Sequence, residues 1–348
     1  MFEKSFITDC EGPLTLNDNA FELCEHFIEN GGKLFKILSL YDDYLVDVIK
    51  KEGYKVGNTL KFILPFFVLE NLKNKDLIDF SKNNIYAIRD SKFLLKYLMG
   101  AMNTYIVSTS YGQYIKALSD YMEFPFENTF YTNVDVDALH LNDEELQKIA
   151  EYKNQILANP DDYDLFDEIF FSEIPKMGIY EKIKEIDVIG GLGKKLAIDT
   201  IIEKYGVDIN NILYIGDSIT DVEALDFACK NNGISISFNG NEYPLKVAEL
   251  AIVSPSAIAT AVIANVYADY DKDKVLQFID DYNSQNDLNR LFDDYNISKD
   301  IKDRFFEVFD DENYPIIEII NDKNYDKILK ESVSMRNNIR GEDIGGLG

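Results

Sequence analysis

The sequence predicts an α/β protein with a Rossmann-like parallel sheet, helical insertions and a helical C-terminal extension. Three observations predict this class. Short apolar runs such as Ile212 to Ile215 alternate with helical segments, which is the pattern of parallel sheets covered by helices on both faces. A hydrophobic content of 46% supplies a large core. The length of 348 residues exceeds the size at which a single core stops growing, so a second folded part is expected.

Six short apolar segments are predicted strands. The first, Phe6 to Thr8, ends abruptly at Asp9 and is followed by the turn-forming pair Gly12 and Pro13. The other five follow in chain order at 105–107, 128–136, 212–215, 234–237 and 251–253. Apolar residues spaced three and four apart predict helices near these strands, at 113–122, 194–205 and 221–230.

The same patterns divide the chain into a discontinuous core and three further parts. Residues 17–99 have helical spacing without a strong strand, and we expect them to form an inserted helical cap. Residues 136–187 are acidic and predict a second, smaller insertion. Residues 269–348 are charged and rich in asparagine, and predict a helical extension. The α/β core then comprises residues 1–16, 100–135 and 188–268.

The charge balance and the cysteines limit the class of protein. Acidic side chains number 62 and basic ones 35, and the resulting net charge of -27 repels nucleic acid and anionic membranes. Three widely spaced cysteines favour a reducing compartment over a disulfide or zinc framework. The first residues do not have the pattern of a secretory signal, and the longest apolar stretch, Phe62 to Leu69, is too short to cross a bilayer. We therefore expect a cytoplasmic protein that binds no nucleic acid and inserts into no membrane.

Polar side chains follow three of the predicted strands. Asp9 and Glu11 follow the first, Ser108 to Ser110 end the second, and Asp217 and Asp221 follow the fourth. One acidic residue after a strand is usually a turn former or a helix cap. The carboxyl ends of parallel strands, however, meet at one edge of the sheet, where ligands bind. Carboxylates gathered there repel one another unless a hard cation lies between them, so the sequence predicts a Mg²⁺ site.

A cation beside a nucleophilic carboxylate would attract a phosphate monoester. That chemistry also needs a positive side chain and a hydroxyl donor for the phosphoryl oxygens. Lys194 opens a helix after a glycine-rich loop and is the candidate for the positive charge, with Lys195 as the alternative. Ser108, at the tip of a strand, is the candidate hydroxyl. For either lysine taken alone, a solvated residue at a helix start is the simpler interpretation.

Four segments of the chain carry a family resemblance. They are FITDCEGPLT at 6–15, IVS at 106–108, KKLAI at 194–198 and IGDSITD at 215–221. In this order they resemble the motifs of the haloacid dehalogenase-like phosphohydrolase superfamily, in its phosphoserine-phosphatase-like branch. The first and fourth motifs are specific together, whereas the second and third are weak alone. A looser resemblance, carried by the DCEGP loop and the C-terminal extension, is to archaeal members of the superfamily associated with an energy-converting hydrogenase.

The resemblance implies a catalytic or phosphate-binding role for five residues. Asp9 is the expected nucleophile, which forms an aspartyl-phosphate, and Glu11 takes the place of the general acid/base. Ser108, Thr109 and Lys194 are expected to hold the phosphoryl group. The implied reaction is the hydrolysis of a small phosphorylated metabolite.

The resemblance also implies a metal site and a lid. Asp9, the carbonyl of Glu11 and Asp217 are expected to bind Mg²⁺, with Asp221 as an outer ligand or as the residue that orients the lysine. The helical insertion, residues 17–99, corresponds to the cap that closes over the site and selects the substrate.

Two residues depart from the family pattern and support a second hypothesis. Glu11 stands where the family normally has Asp, and Pro13 replaces the usual Thr. The longer side chain displaces the acid/base group, and a displacement of ~1 Å can cost ~100-fold in rate. The alternative function is therefore a catalytically weak or inert binding or regulatory subunit of a larger complex, and the sequence leaves a homo-oligomer or another protein partner open.

The segment IGGLG occurs twice, at 189–193 and at 344–348. Five residues are too few for a structural repeat. The simpler interpretation of the second copy is a flexible glycine-rich tail. The alternative hypothesis is that the tail occupies the place of the internal loop in a neighbouring molecule.

Overall fold

A seven-stranded sheet forms the centre of the structure. The computed structural model describes residues 2–51, 53–284, 287–310 and 313–347. The strands are β1 Ser5–Thr8, β2 Asn103–Tyr111, β3 Thr129–Thr132, β4 Ile212–Gly216, β5 Ile234–Phe238, β6 Leu250–Val253 and β7 Ile316–Ile319. Their order in the sheet is β3-β2-β1-β4-β5-β6-β7, and all are parallel except β7, which is antiparallel to β6. The predicted α/β class is confirmed.

The sequence pattern does not predict β7, which lies in the extension that we expected to be helical. Its four residues form a strand because they pair with β6 at the open edge of the sheet, where Ile317 lies opposite Ile252. Both side chains are fully buried. Pairing over a long sequence separation, and not local spacing, therefore decides the structure of this segment.

Nineteen α-helices are present in the described part of the chain. Six precede β2: α1 Asn19–Phe27, α2 Gly31–Asp47, α3 Thr59–Phe62, α4 Leu64–Leu69, α5 Asn74–Asn83 and α6 Ser91–Met99. Five lie between β2 and β4: α7 Gly112–Met122, α8 Asp143–Ala158, α9 Tyr163–Glu168, α10 Tyr180–Ile183 and α11 Leu192–Tyr205. Eight follow β4: α12 Val222–Lys230, α13 Glu242–Leu245, α14 Ile258–Asp269, α15 Lys272–Ser284, α16 Leu288–Asp294, α17 Lys299–Val308, α18 Tyr325–Arg340 and α19 Glu342–Gly345. Among the residues described, no helix has both the length and the apolar character needed to span a bilayer.

Helices cover both faces of the sheet. Alternate residues of a strand point to opposite faces, and accordingly Phe6 packs in one core cluster while Ile7 packs in another. The cluster that contains Phe6 includes α14, which is buried over ten of its residues, together with α6, α15 and α17. The cluster that contains Ile7 includes α11 and α12. The parallel strands are therefore apolar along both faces, as the sequence indicated.

The two predicted insertions share a single apolar core. Leu38 and Phe66 from the first insertion and Ile149 and Phe166 from the second belong to one buried cluster. A capping box starts α8 in the second insertion, because the Asn142 side chain accepts from the backbone N–H of Glu145 and the Glu145 carboxylate accepts from that of Asn142. Helices α1 to α5 and α8 to α10 thus form one layer beside the carboxyl edge of the sheet. Helix α6, also within residues 17–99, packs instead in the cluster that contains Phe6.

The C-terminal extension returns to that same edge. Helix α18 packs through Ile328 against Leu245 and Ala251, beside β6. At its far end, the Arg340 guanidinium donates hydrogen bonds to the carbonyls of Leu16 (3.1 Å) and Asn17 (2.6 Å), where the first insertion begins. Helix α18 therefore runs across the carboxyl ends of the strands.

Candidate active site

Asp9 lies at the carboxyl end of β1, in the middle of the sheet. Its backbone N–H donates to the carbonyl of Ile215 in β4 (2.9 Å), and its carboxylate Oδ1 accepts from the N–H of Cys10 (2.7 Å). The residue is only 5% exposed. Burial and the nearby Asp221 raise the pKa of Asp9, although Lys194 opposes the shift. The backbone of Asp9 is thus fixed by β4, and its carboxylate is fixed by the N–H of the next residue.

Lys194, in the first turn of α11, bridges two buried carboxylates. Its Nζ lies 2.7 Å from Asp9 Oδ2 and 2.7 Å from Asp221 Oδ1, and the side chain is fully buried. Burial by itself lowers the pKa of Lys194, but Asp221 and Asp9 outweigh it, so the net pKa is raised. Lys195 instead pairs with Asp199 at 2.6 Å, with its side chain 31% exposed. Of the two lysines, Lys194 is therefore the one beside the nucleophile candidate.

Asp221 holds the loop after β4. Its Oδ1 accepts from the hydroxyl of Tyr214 (2.7 Å) as well as from Lys194, and its Oδ2 accepts from the backbone N–H of Asp217 (3.1 Å) and Ser218 (3.2 Å). Both oxygens are thus engaged with the chain itself. This carboxylate orients the lysine and the loop that carries Asp217.

The three aspartates converge as the sequence predicted. Asp9, Asp217 and Asp221 are all buried, and each offers a carboxylate oxygen within 4.8 Å of the others. Hard, anionic oxygens at this spacing match the ligands that Mg²⁺ prefers, so the chemistry of the donor set fits the predicted ion. The glycine of the nucleophile loop is needed for this convergence. A Cβ on Gly12 would lie 2.2 Å from the Asp217 carboxyl carbon, and its φ is +103°.

Asp217 also has two partners that sequence reasoning missed. Arg336 and Arg340 of α18 both form ion pairs with its Oδ2, the second at 3.0 Å. Arg336 is 3% exposed, and burial lowers its pKa although Asp217 opposes the shift. The three buried carboxylates are therefore matched by three cations of the chain itself, Lys194 and these two arginines.

One sequence signal could have identified this pair. The chain contains only five arginines, and two of them stand four residues apart near the C-terminus. On a helix, that spacing places both side chains on one face. In a protein with this excess of acidic residues, such a pair points to a buried carboxylate partner, although nothing local says which one.

The Glu11 carboxylate faces the cap. Its Oε1 accepts from the backbone N–H of Asn19 (2.7 Å), at the start of α1. Burial and the nearby Asp18 raise the pKa of Glu11 well above its ordinary value, as general acid/base work requires. The hydrogen bonds of the adjacent turn come from the N–H groups of Gly12, Leu14 and Thr15, so the turn does not depend on an N–H at position 13.

The residues at the end of β2 differ in what their hydroxyls contact. The Ser108 hydroxyl oxygen accepts from the N–H of Ser110 (3.2 Å), which leaves its hydrogen for a ligand. The Thr109 hydroxyl donates to the carbonyl of Ile189 (2.9 Å). The Ser110 hydroxyl is buried, and its hydrogen bond with the Glu11 carboxylate opposes the rise of the Glu11 pKa. Ser108 is therefore better placed than Thr109 to donate to a phosphoryl group.

A cavity of about 120 Å³ joins these groups. Asp9, Glu11, Ser108 to Ser110 and Asp217 line it on the sheet side, and Lys194 is not among its lining residues. The cap contributes Asp43 among others, while the extension contributes Arg336, Arg340 and Leu347. Ligand pockets usually have ~300–1,000 Å³, so this cavity admits a group of about the size of a phosphate and little more.

The tail packs within its own chain. The Nε and Nη2 groups of Arg336 donate to the carbonyls of Gly345 (2.8 Å) and Leu347 (3.0 Å). Ile344 and Leu347 contact the core of the cap. The described part of the second IGGLG segment is therefore folded against the site, while Gly348 lies outside the described residues.

The chain is similar along its whole length to one solved structure. Gene product AF1437 from Archaeoglobus fulgidus is 25% identical and superimposes with a TM-score of 0.80 over 99% of both chains. No protein-family model and no curated protein matches the chain.

More distant matches are to phosphatase structures. A phospho-aspartyl intermediate analogue of phosphoserine phosphatase is 12% identical, with a TM-score of 0.47 over 72% of this chain and 93% of that one. A phosphoserine phosphohydrolase-like protein from Francisella tularensis is 14% identical, with a TM-score of 0.47 over 74% and 98%.

Proposed function

We propose that this chain, with its haloacid dehalogenase-like fold, is a Mg²⁺-dependent phosphatase of a small phosphorylated metabolite. The observation that carries the proposal is the position of Asp9, a buried carboxylate at the carboxyl end of the central strand, 2.7 Å from Lys194 and within 4.8 Å of Asp217 and Asp221. A carboxylate fixed by the backbone and flanked by a cation is suited to attack phosphorus.

The proposed reaction has two steps. An oxygen of Asp9 attacks phosphorus, the ester P–O bond breaks, and the leaving alcohol takes a proton from Glu11. Water then gives a proton to Glu11 and attacks the aspartyl-phosphate, which releases inorganic phosphate and restores Asp9. The raised pKa of Glu11 supports its role as the proton donor of the first step.

The other residues position the groups that react. Lys194 keeps the Asp9 carboxylate oriented, and the hydroxyl of Ser108 donates to a phosphoryl oxygen. Asp9, Asp217 and the Glu11 carbonyl would hold Mg²⁺, with Asp221 behind them. When bound, the ion would neutralise the charge of the phosphoryl group.

The decisive experiment is phosphate release from phosphoserine, a generic aryl phosphate and a panel of phosphorylated metabolites. We expect release to require Mg²⁺ and to vanish in Asp9→Asn, which has the same shape but a much weaker nucleophile. Asp161→Asn, the same substitution at an exposed position, is the matched control. Undiminished turnover in Asp9→Asn would refute the mechanism.

A second candidate function is a weak or inert binding or regulatory subunit. It is favoured by the contacts of two carboxylates. Arg336 and Arg340 neutralise Asp217, and the Glu11 carboxylate is engaged with the N–H of Asn19. A gain of hydrolysis in Glu11→Asp would favour this candidate, because it would indicate a detuned site. Turnover of the unmodified protein above ~1 s⁻¹, an ordinary enzyme rate, would count against it.

A further inference from the structure

The C-terminal helix α18 contacts the carboxylate that would bind the cation. The Nη1 group of Arg336 donates to the backbone carbonyl (3.3 Å) and to the carboxylate Oδ2 of Asp217, and Arg340 donates to the same Oδ2 at 3.0 Å. A divalent cation and a guanidinium are both attracted to this oxygen. If both contacted it at once, their like charges would lie close together and repel each other.

The arginines are held in place by further contacts. Besides Asp217, Arg336 donates to the carbonyls of Gly345 and Leu347, and Arg340 donates to those of Leu16 and Asn17. These four carbonyls come from the tail and from the start of the cap. The helix is therefore anchored at the site by contacts with two other segments of the chain.

The same helix limits the space at the site. Arg336, Arg340 and Leu347 line the cavity of about 120 Å³, opposite Asp9 and Ser108. Removal of α18 and the tail would open this wall. The arginines of α18 thus neutralise the carboxylate that a cation would need. The helix also fills space that the cation and its substrate would need.

We propose that α18 is an internal competitor of the metal ion: Arg336 and Arg340 must leave Asp217 before a divalent cation binds there, so docking of α18 and cation binding exclude each other. The proposal rests on the metal site of the proposed function. It differs from that function in predicting a closed resting state of the protein, in which the C-terminal helix keeps the cation out.

The test measures binding of Mn²⁺, as a paramagnetic substitute for Mg²⁺, to the EDTA-treated full-length protein by electron paramagnetic resonance. In the double variant R336M/R340M, which keeps the apolar stems and removes the charges, we expect Mn²⁺ to bind ~10-fold or more tightly, because cation binding no longer requires two charge-assisted hydrogen bonds to break. The control R290M/R304M also loses two positive charges, but from exposed positions outside the site. It should bind Mn²⁺ as the unmodified protein does.

A second measurement uses only the unmodified protein and stays valid if the double variant does not fold. Hydrogen exchange of residues 325–340 should accelerate when Mn²⁺ is added at saturating concentration, since α18 then leaves the site. Equal Mn²⁺ affinity in all three proteins, no Mn²⁺ binding by any of them, or unchanged exchange in α18 at saturating Mn²⁺ would overturn the proposal.

These readouts are independent of phosphate release. If Asp9→Asn retains full turnover while the Mn²⁺ affinity changes as expected, the proposed mechanism fails and the competition between α18 and the cation stands. If phosphate release requires Mg²⁺ and Asp9 while the affinities are equal, only the role of α18 fails.

Discussion

The two lysines at the start of α11 are adjacent in sequence and differ completely in environment. Lys194 is fully buried between Asp9 and Asp221, whereas Lys195 pairs with Asp199 at the surface. Removal of one partner from a buried ion pair leaves the other charge without compensation in a medium of low polarity. A comparison of the two lysines therefore tests what burial contributes to a salt bridge.

We expect Lys194→Met to lower the free energy of unfolding by about 3–5 kcal/mol and to abolish phosphate release, because Asp9 and Asp221 would remain buried without their cation. Lys195→Met should cost at most about 1 kcal/mol, the usual value of an exposed pair. Urea denaturation of both variants measures the difference. Equal destabilisation by the two substitutions would contradict the assignment.

Asp43 is a half-buried carboxylate on the wall of the cavity, and it makes stability depend on pH. Burial, with Asp42 and Asp47 nearby, raises its pKa to about 7, while the value in an unfolded chain is about 4. Between these values the folded protein holds a proton that the unfolded chain has lost. The free energy of unfolding therefore falls as the pH rises through this window.

Asp43→Asn removes this dependence, because the amide does not ionise. Between about pH 5 and about pH 8, the unmodified protein should lose on the order of 2–3 kcal/mol relative to the variant. Urea denaturation at the two pH values measures the change, and Asp161→Asn, at an exposed position, serves as the control. If the free energies of unfolding of the unmodified protein and of Asp43→Asn differ by the same amount at both pH values, Asp43 is already ionised in the folded protein at the lower pH.

At the residue level, the sequence predicts the half of the site that lies on the strands. Asp9, Ser108 and Asp217 follow short apolar runs, and the geometry of a parallel sheet then brings them to one edge. Arg336 and Arg340 could not be predicted in this way, since they lie more than a hundred residues after Asp217 and reach it only through the packing of α18. The role of Asp43 could not be predicted either, because its environment depends on how the cap packs against the rest of the chain.

Among the elements, the last segment of the chain has the clearest link to the site. Its carbonyls at Gly345 and Leu347 accept from Arg336, and Lys36 of α2 pairs with Asp343 at the surface. The tail is thus part of the anchoring of α18. The earlier hypothesis that it binds a neighbouring molecule stays a prediction, which the following deletion also tests.

Deletion of residues 342–348 should lower the free energy of unfolding by about 1–3 kcal/mol and accelerate hydrogen exchange in α18, because a buried guanidinium would lose two acceptors. Asp343→Asn, which removes only the exposed pair with Lys36, should cost under about 1 kcal/mol. If the deletion changes neither stability nor exchange, the tail does not support α18. If the deletion leaves activity and oligomeric state unchanged, the hypothesis that the tail binds a neighbouring molecule is wrong.

Secondary structure could be predicted where local spacing decides it. The six parallel strands and most helices follow from apolar periodicity. Strand β7 could not be predicted in the same way, because its residues gain their burial from β6, some sixty residues earlier in the chain. The common core of the two insertions was also hidden, since helical spacing identifies an apolar face and does not identify its partner.

For the molecule as a whole, the net charge of -27 sets the long-range field. The cavity itself is lined by more carboxylates than cations, so an approaching phosphate ester experiences a negative field both at the exterior and at the site. Added salt screens this repulsion over a Debye length of ~10 Å at 0.1 M.

We therefore expect kcat/KM for a phosphate monoester to rise a few-fold between about 20 mM and about 300 mM NaCl at fixed Mg²⁺ concentration. The value of kcat at saturating substrate should change little, because screening acts on the approach of the substrate. Steady-state kinetics across this range measure both quantities. A fall of kcat/KM with salt would indicate an attractive field at the entrance of the site.

The position of α18 at the end of the chain also has a consequence for biosynthesis. Translation runs from the N-terminus, and domains begin to fold as they leave the ribosome. The strands that carry Asp9 and Asp217 are complete long before Arg336 is translated. The nascent protein therefore meets the divalent cations of its surroundings before Arg336 and Arg340 have been made.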